Sequence, residues 1–131
     1  MQLGQGMNVV AGVFFALHAV AHLAGFAGAF SLVPALGHPT TVLFGKVDLT
    51  QSGARAGGLG WLFAAAGFAI ASAGAFADAL WWPRFVIVAA IASLAMCILY
   101  LPETRVGVAV NAVILVAFLF GKAALWWIIR D

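Results

Sequence analysis

The sequence predicts an all-α integral membrane protein, an antiparallel four-transmembrane-helix bundle with a long first loop. Three observations predict it. Of the 131 residues, 66% are hydrophobic and only 8% are charged, whereas soluble domains carry roughly 25% charged residues. A water-soluble fold of this size has too little interior to hide that much apolar surface. Four apolar stretches also reach the length of about 20 residues that a helix needs to cross a bilayer, and the links joining the last three are short.

Span one covers about residues 8–30. It has no basic n-region and its apolar run is too long for a signal peptide, so it is expected to be a retained helix. The loop over residues 31–56 follows, with Pro34, Pro39 and three glycines. Loops of this length are usually functional or disordered. Its piece "TTVLFGKVDL" is apolar enough to lie on a membrane surface or to cap the bundle. A cap is expected, because Val42, Leu43 and Phe44 are costly to leave in water.

Span two covers about residues 57–77. Gly60, Ala64, Gly67, Ala71 and Gly74 recur in it at steps of four and three, which traces one helical seam. Small residues let helices approach closely in lipid. The seam is therefore read as a packing surface, either for another span of this chain or for a second copy or partner subunit. Span three covers about residues 82–101 and span four about residues 106–129. The turns beside Pro83 and at "PETR", residues 102–105, force antiparallel neighbours. The whole chain, 1–131, reads as one transmembrane domain.

Charge does not orient it. Arg84, Lys122 and Arg130 fall on one side, and Lys46, Arg55 and Arg105 on the other, so the positive-inside rule favours neither side. An even span count puts both termini on one side, taken here as cytoplasmic. Trp81, Trp82, Trp126 and Trp127 fall at that same interface, where an aromatic belt is expected. The formal charge of +2 is small and scattered, which argues against nucleic acid as a partner. A single cysteine, Cys97, excludes an internal disulfide and a CxxC redox pair. It reads as a small buried apolar side chain.

The functional question lies in "ALHAVAHLAGF", residues 16–26. Ionisable groups at mid-bilayer cost about 2.5–3.5 kcal/mol on insertion scales, so a functional role is their default reading. His18 and His22 are four apart, which places them on one helix face, with Gly25 and Ala29 continuing the stripe. In span four, Lys122 is expected to snorkel to the interface. Asn111 sits roughly 9 Å below Arg105, and His22 roughly 12 Å below the matching end of span one. An imidazole and an amide at those depths meet if spans one and four are neighbours. The bland account is interhelical hydrogen bonding, worth only about 0.6 kcal/mol on average in membrane proteins. Two histidines and an asparagine on converging faces cost more than that returns, which favours a site.

Several chemistries fail on count. Metal sites want three or four ligands, and the only other histidine is His38 in the loop. A metal on His18 and His22 is thus the lesser alternative, and haem lesser still. There is no serine–histidine–acid set, phosphate loop or nucleotide motif, and Ser72 and Ser93 read as small packing residues. Three classes remain: a bundle that binds or moves a small lipophilic molecule, a histidine-dependent membrane enzyme (an isomerase or a quinone-linked oxidoreductase), and an accessory subunit. No cofactor is specified.

The pattern His18-x-x-x-His22-x-x-Gly25-Phe26, with "GLGWL" at residues 58–62 and "ETRVGVAVN" at residues 103–111, resembles a group of small uncharacterised bacterial four-span membrane proteins. Their fourth-span motif, acid-x-Lys-x-Gly-x-x-x-Asn, is matched here by Glu103, Arg105, Gly107 and Asn111. Leu101 and Pro102 stand where that group tends to have Trp and Ser, and the first loop is longer. By size and span count the chain also resembles the DoxX-like proteins, an analogy of architecture alone. The resemblance implies a bacterial inner-membrane protein in which His18, His22, Glu103, Arg105 and Asn111 belong together. The expected site therefore has His22 and Asn111 as the floor of a pocket, Glu103 and Arg105 as its rim, and Asp48 or Arg55 joining from the loop.

Overall fold

The computed structural model describes residues 3–37 and 39–121. His38, and the end of span four with Lys122, Trp126, Trp127 and Arg130, lie outside the described residues. The chain forms helix α1 (Leu3–Ala29), one 3₁₀ turn (Pro34–Leu36), strands β1 (Thr41–Val42) and β2 (Val47–Asp48), and helices α2 (Gln51–Phe76), α3 (Trp82–Leu99) and α4 (Arg105–Phe120). Three helices, Gln5–Ala29 within α1, α2 and α3, are long and apolar enough to cross a membrane, and α4 is a shorter apolar helix. Their outward residues are apolar too, with Met7, Val10 and Leu17 of α1 among the most exposed.

Helix α2 begins six residues before the expected start at Gly57. Thr50 is the reason: its backbone is extended, and its Oγ1 accepts the Gly53 N–H at 3.1 Å, satisfying a donor that the helix start leaves free. Arg55 therefore stands on the first turns of α2 rather than in the loop. The shortened loop contains a two-residue antiparallel hairpin, with Thr41 opposite Asp48 and Val42 opposite Val47. Its turn puts Leu43, Phe44 and Gly45 at φ of 53°, 60° and 76°. The left-handed region costs an L-residue about 1–2 kcal/mol. Two bonds offset that cost: Leu43 N–H donates to Leu99 O at 2.8 Å, and Phe44 N–H to Leu101 O at 3.2 Å. Carbonyls at a helix C-terminus lack partners within the helix, so the hairpin caps the end of α3. Val42 and Leu49 pack behind it on Trp61, Cys97 and Tyr100.

Each helix packs along the next in sequence, α1 on α2, α2 on α3 and α3 on α4. The small-residue seam of α2 is occupied by α3. A Cβ at Gly60 would lie 2.5 Å from Met96 Sδ, one at Gly67 2.8 Å from Ala89 Cβ, and one at Gly74 2.7 Å from Trp82 Cβ. Ala64 and Ala71 are fully buried in the same seam. The seam therefore packs within the chain, against α3. On the opposite side of α2, Gly12 of α1 approaches Phe76, Gly25 approaches Trp61, and Gly58 approaches Ala29.

The core is built from Phe15, Phe68, Trp82, Val86, Ala90 and Ile114, one or more from each helix. Trp82 is a correction to the aromatic belt. It is 7% exposed and packs on Phe15 and Phe118, so it belongs to the core, while Trp81 is 42% exposed. Two polar bonds fix the α1 register: Ser72 Oγ donates to Gly12 O at 2.7 Å, and Asn8 Nδ2 donates to Asp78 Oδ1 at 2.6 Å.

Candidate functional site

The i, i+4 spacing brings the His18 and His22 rings to 4.6 Å, tilted at 63°. Apolar rings enclose them. Phe68 of α2 lies 4.5 Å from the His18 ring and 5.6 Å from His22, Trp61 lies 5.4 Å from His22, and Phe14 stacks on His18 at 5.9 Å. His22 is 6% exposed and Asn111 is fully buried.

His22 and Asn111 do not touch each other. Ser93 of α3 joins them: its Oγ lies 2.7 Å from His22 Nε2 and accepts Asn111 Nδ2 at 2.7 Å. Asn111 spends its second N–H on Gly107 O at 2.8 Å, and Cys97 Sγ lies 3.8 Å from the same nitrogen. A carbonyl only accepts, so Gly107 fixes which end of the amide faces inward. Ser93 Oγ accepts from Asn111, and its own hydrogen can go to His22 Nε2 when the ring carries its proton on Nδ1. Asn111, Ser93 and His22 thus form one buried chain of hydrogen bonds. The packing role expected for Ser93 is corrected: a polar hub in an apolar interior is what a hydroxyl supplies and an alanine would not. The one signal in the spacing of α3 is Cys97, four residues on along the same face, whose thiol also lies near the Asn111 amide.

Behind this chain, His18 Nε2 and Asn111 Oδ1 are both buried without a hydrogen bond, although the two side chains lie close enough to act on each other. Buried polar atoms left single are uncommon and call for an explanation.

His18 and His22 line a cavity of about 370 Å³ between α1 and α4, with Trp61, Thr104, Gly107 and Val110 among its walls. Thr104 is anchored there by a hydrogen bond to Cys97 O. Glu103 and Arg105 flank Thr104 but are exposed and do not line this cavity; Asp48 and Arg55 are exposed as well, on the hairpin and on α2. Among the described residues, no side-chain hydrogen bond or ion pair joins these four charges to the buried cluster. The structure thus brings together His18, His22 and Asn111, adds Ser93, Trp61 and Thr104, and leaves the four charged residues outside. Charged groups keep their hydration at this end of the helices, while Thr104 and Gly107, small enough for close approach, face in.

Two chemistries are constrained by this geometry. Ser93 Oγ and His22 Nε2 stand at the distance of a nucleophile and its base, but Ser93 is fully buried and does not line the histidine cavity. A metal on His18 and His22 would use His22 Nδ1 or displace Ser93 from Nε2, and among the described residues no three His, Cys, Asp or Glu side chains gather as a ligand set. Compared with known proteins, the chain matches no family model, no curated protein and no solved structure.

Proposed function

We propose that the chain is a four-span antiparallel bundle of the bacterial inner membrane, with cytoplasmic termini, that binds or moves a small lipophilic molecule at the His18–His22 pocket. The pairings of Gly12 with Phe76 and Gly58 with Ala29, and of Gly60 with Met96 and Gly74 with Trp82, support the antiparallel order of α1, α2 and α3. The sequence stays largely apolar from Phe120 through Ile129, which supports a fourth span. The observation that carries the binding reading is the placement of two histidines on an opening between α1 and α4 whose other walls are uncharged. Pockets of this size and character, mostly apolar with a few converging polar groups, are the usual form of small-molecule sites.

The test is purification of the full chain in mild detergent without added ligand, followed by native mass spectrometry and extraction of bound lipids. A discrete lipophilic adduct is expected on the wild type and is expected to be lost in His18→Leu, with helicity unchanged by circular dichroism. A wild type free of adducts that also takes up no lipophile on titration would sink the reading.

A further inference from the structure

We infer that the histidine pocket is the head end of a longer groove, and that its ligand is an uncharged long-chain amphiphile. Its hydroxyl or amide group sits beside His18 and His22, and its chain lies between α1 and α4. This rests on the binding reading above and names the ligand class for the same site.

A second, apolar crevice of about 800 Å³ runs along the same two helices. Its lining starts about one turn from that of the histidine pocket. On α1, Phe14 and Phe15 follow His18 by one turn, and on α4, Val113 and Ile114 follow Val110. Phe14, which walls the crevice, also stacks on His18. Its floor is closed by Phe15 against Phe118 at 5.9 Å.

Length, volume and charge converge on one occupant. From His18 to Gly6, the far end of the lining, is roughly 18 Å along α1 at 1.5 Å per residue. One leaflet of hydrocarbon is about half of the 30 Å bilayer core, so the groove matches one acyl or alkyl chain laid end to end. Its volume lies within the range of lipophilic ligand sites. Neither half is lined by Lys, Arg, Asp or Glu, so a carboxylate or phosphate head would enter without a counter-charge, which is costly in an apolar medium. A hydroxyl or amide both donates and accepts, and so suits the uncharged ring nitrogens other than the His22 Nε2 that Ser93 occupies.

The test measures binding of hexadecanol, hexanol and hexadecanoate to the detergent-purified full chain, by titration in native mass spectrometry. Ala117→Phe plugs the chain half from an exposed position, and Val113→Trp, at a residue 68% exposed, is a second plug. Expected results are at least a tenfold loss of hexadecanol affinity in either plug with hexanol unaffected, and at least tenfold weaker binding of hexadecanoate than of hexadecanol. Equal hexadecanol binding in wild type and both plugs overturns the groove, and hexadecanoate binding as tightly as the alcohol overturns the neutral head. A plug that converts a wild-type dimer to monomer also overturns the inference, since a second copy would then fill the crevice. If hexanol binds and hexadecanol gains nothing over it, only the groove fails. If neither alcohol binds, the binding reading of the pocket fails with it.

Discussion

Ser93 Oγ lies 2.7 Å from His22 Nε2, and that one oxygen also takes the Asn111 amide. Three helices, α1, α3 and α4, are thereby pinned at a single buried atom. Hydrophobic contacts between helices in lipid tolerate sliding, because the tails outside are as apolar as the contacts. A two-sided hydroxyl does not tolerate it, so α3 fixes the register of α1 and α4, which also meet directly at Phe15 and Phe118.

Ser93→Ala is accordingly expected to cost about 1–3 kcal/mol, the range for leaving buried polar partners unsatisfied, because it strands both His22 Nε2 and an Asn111 N–H. Ser72→Ala removes one bond to Gly12 O and is expected to cost about 0.6 kcal/mol, the usual value for an interhelical bond. Unfolding of both variants in the same detergent gives the comparison. Equal losses would remove the hub role from Ser93.

The Ser93 bond is readable as a tautomer. If the hydroxyl that accepts from Asn111 gives its own hydrogen to Nε2, His22 carries its proton on Nδ1. Nitrogen NMR of histidine-labelled protein is expected to show that tautomer for His22, and to show it lost in Ser93→Ala. A wild-type His22 protonated on Nε2 would make Ser93 Oγ the acceptor of both bonds and sink its role as donor to the ring.

The parts of this arrangement differ in how readable they were. Helical periodicity exposes relations within one helix, so the shared face of His18 and His22 and the seam of α2 were legible. Depth along the helices put Asn111 near the right level. Relations between helices are not written in any one stretch, and this is why Ser93 passed for a packing residue and Trp82 for a belt residue. The charged neighbours misled in the other direction. Glu103 and Arg105 sit beside Thr104 in sequence, but successive residues of a helix start face different ways, and Thr104, Val106 and Gly107 line the cavity while the two charged residues do not. The hairpin was unreadable because two-residue strands are too short to show alternation. The earlier start of α2 had a legible signal in Thr50, an N-cap residue type, outweighed by the polar run that follows it.

The seam makes a quantitative prediction. At Gly67 an added Cβ meets Ala89 Cβ at 2.8 Å and Ala89 Cα at 3.4 Å, neither of which can rotate away. Gly67→Ala is expected to destabilise by about 1–3 kcal/mol, as overpacking does. Ala89→Gly in the same chain removes the obstruction, so a double-mutant cycle is expected to return a favourable coupling of about 1 kcal/mol or more. Strict additivity would show that α2 and α3 do not approach at this point.

The hairpin cap predicts an unusual exchange pattern. Leu43 is 42% exposed, yet its N–H is held by Leu99 O at 2.8 Å. Gly45 lies two residues on in the same turn, and its N–H forms no backbone bond among the described residues. Hydrogen exchange at Leu43 is expected to be slowed well below that at Gly45. Matching fast exchange at both would mean that the loop does not cap α3.

Gly25 is the position where packing and the candidate site meet. A Cβ there would lie 2.8 Å from Trp61 Cγ and 2.9 Å from Cδ1. These atoms are the root of the ring, so the whole indole has to move. Trp61 walls the histidine pocket on one side and a second cavity of about 210 Å³ beside Tyr100 on the other, and it packs on the His22 and Tyr100 rings at 5.4 and 5.6 Å. Gly25→Ala is therefore expected to cost about 1–3 kcal/mol by overpacking and to weaken alcohol binding at the histidines at least tenfold. Gly12→Ala is the control, because its new methyl meets the exposed Phe76 ring at 2.9 Å, which lines neither the histidine pocket nor the crevice, and it is expected to leave binding unchanged. The fluorescence of Trp61, isolated by subtracting the spectrum of Trp61→Phe, reports the displacement directly. An unshifted Trp61 emission in Gly25→Ala, with alcohol binding intact, would show that the indole does not wall the pocket.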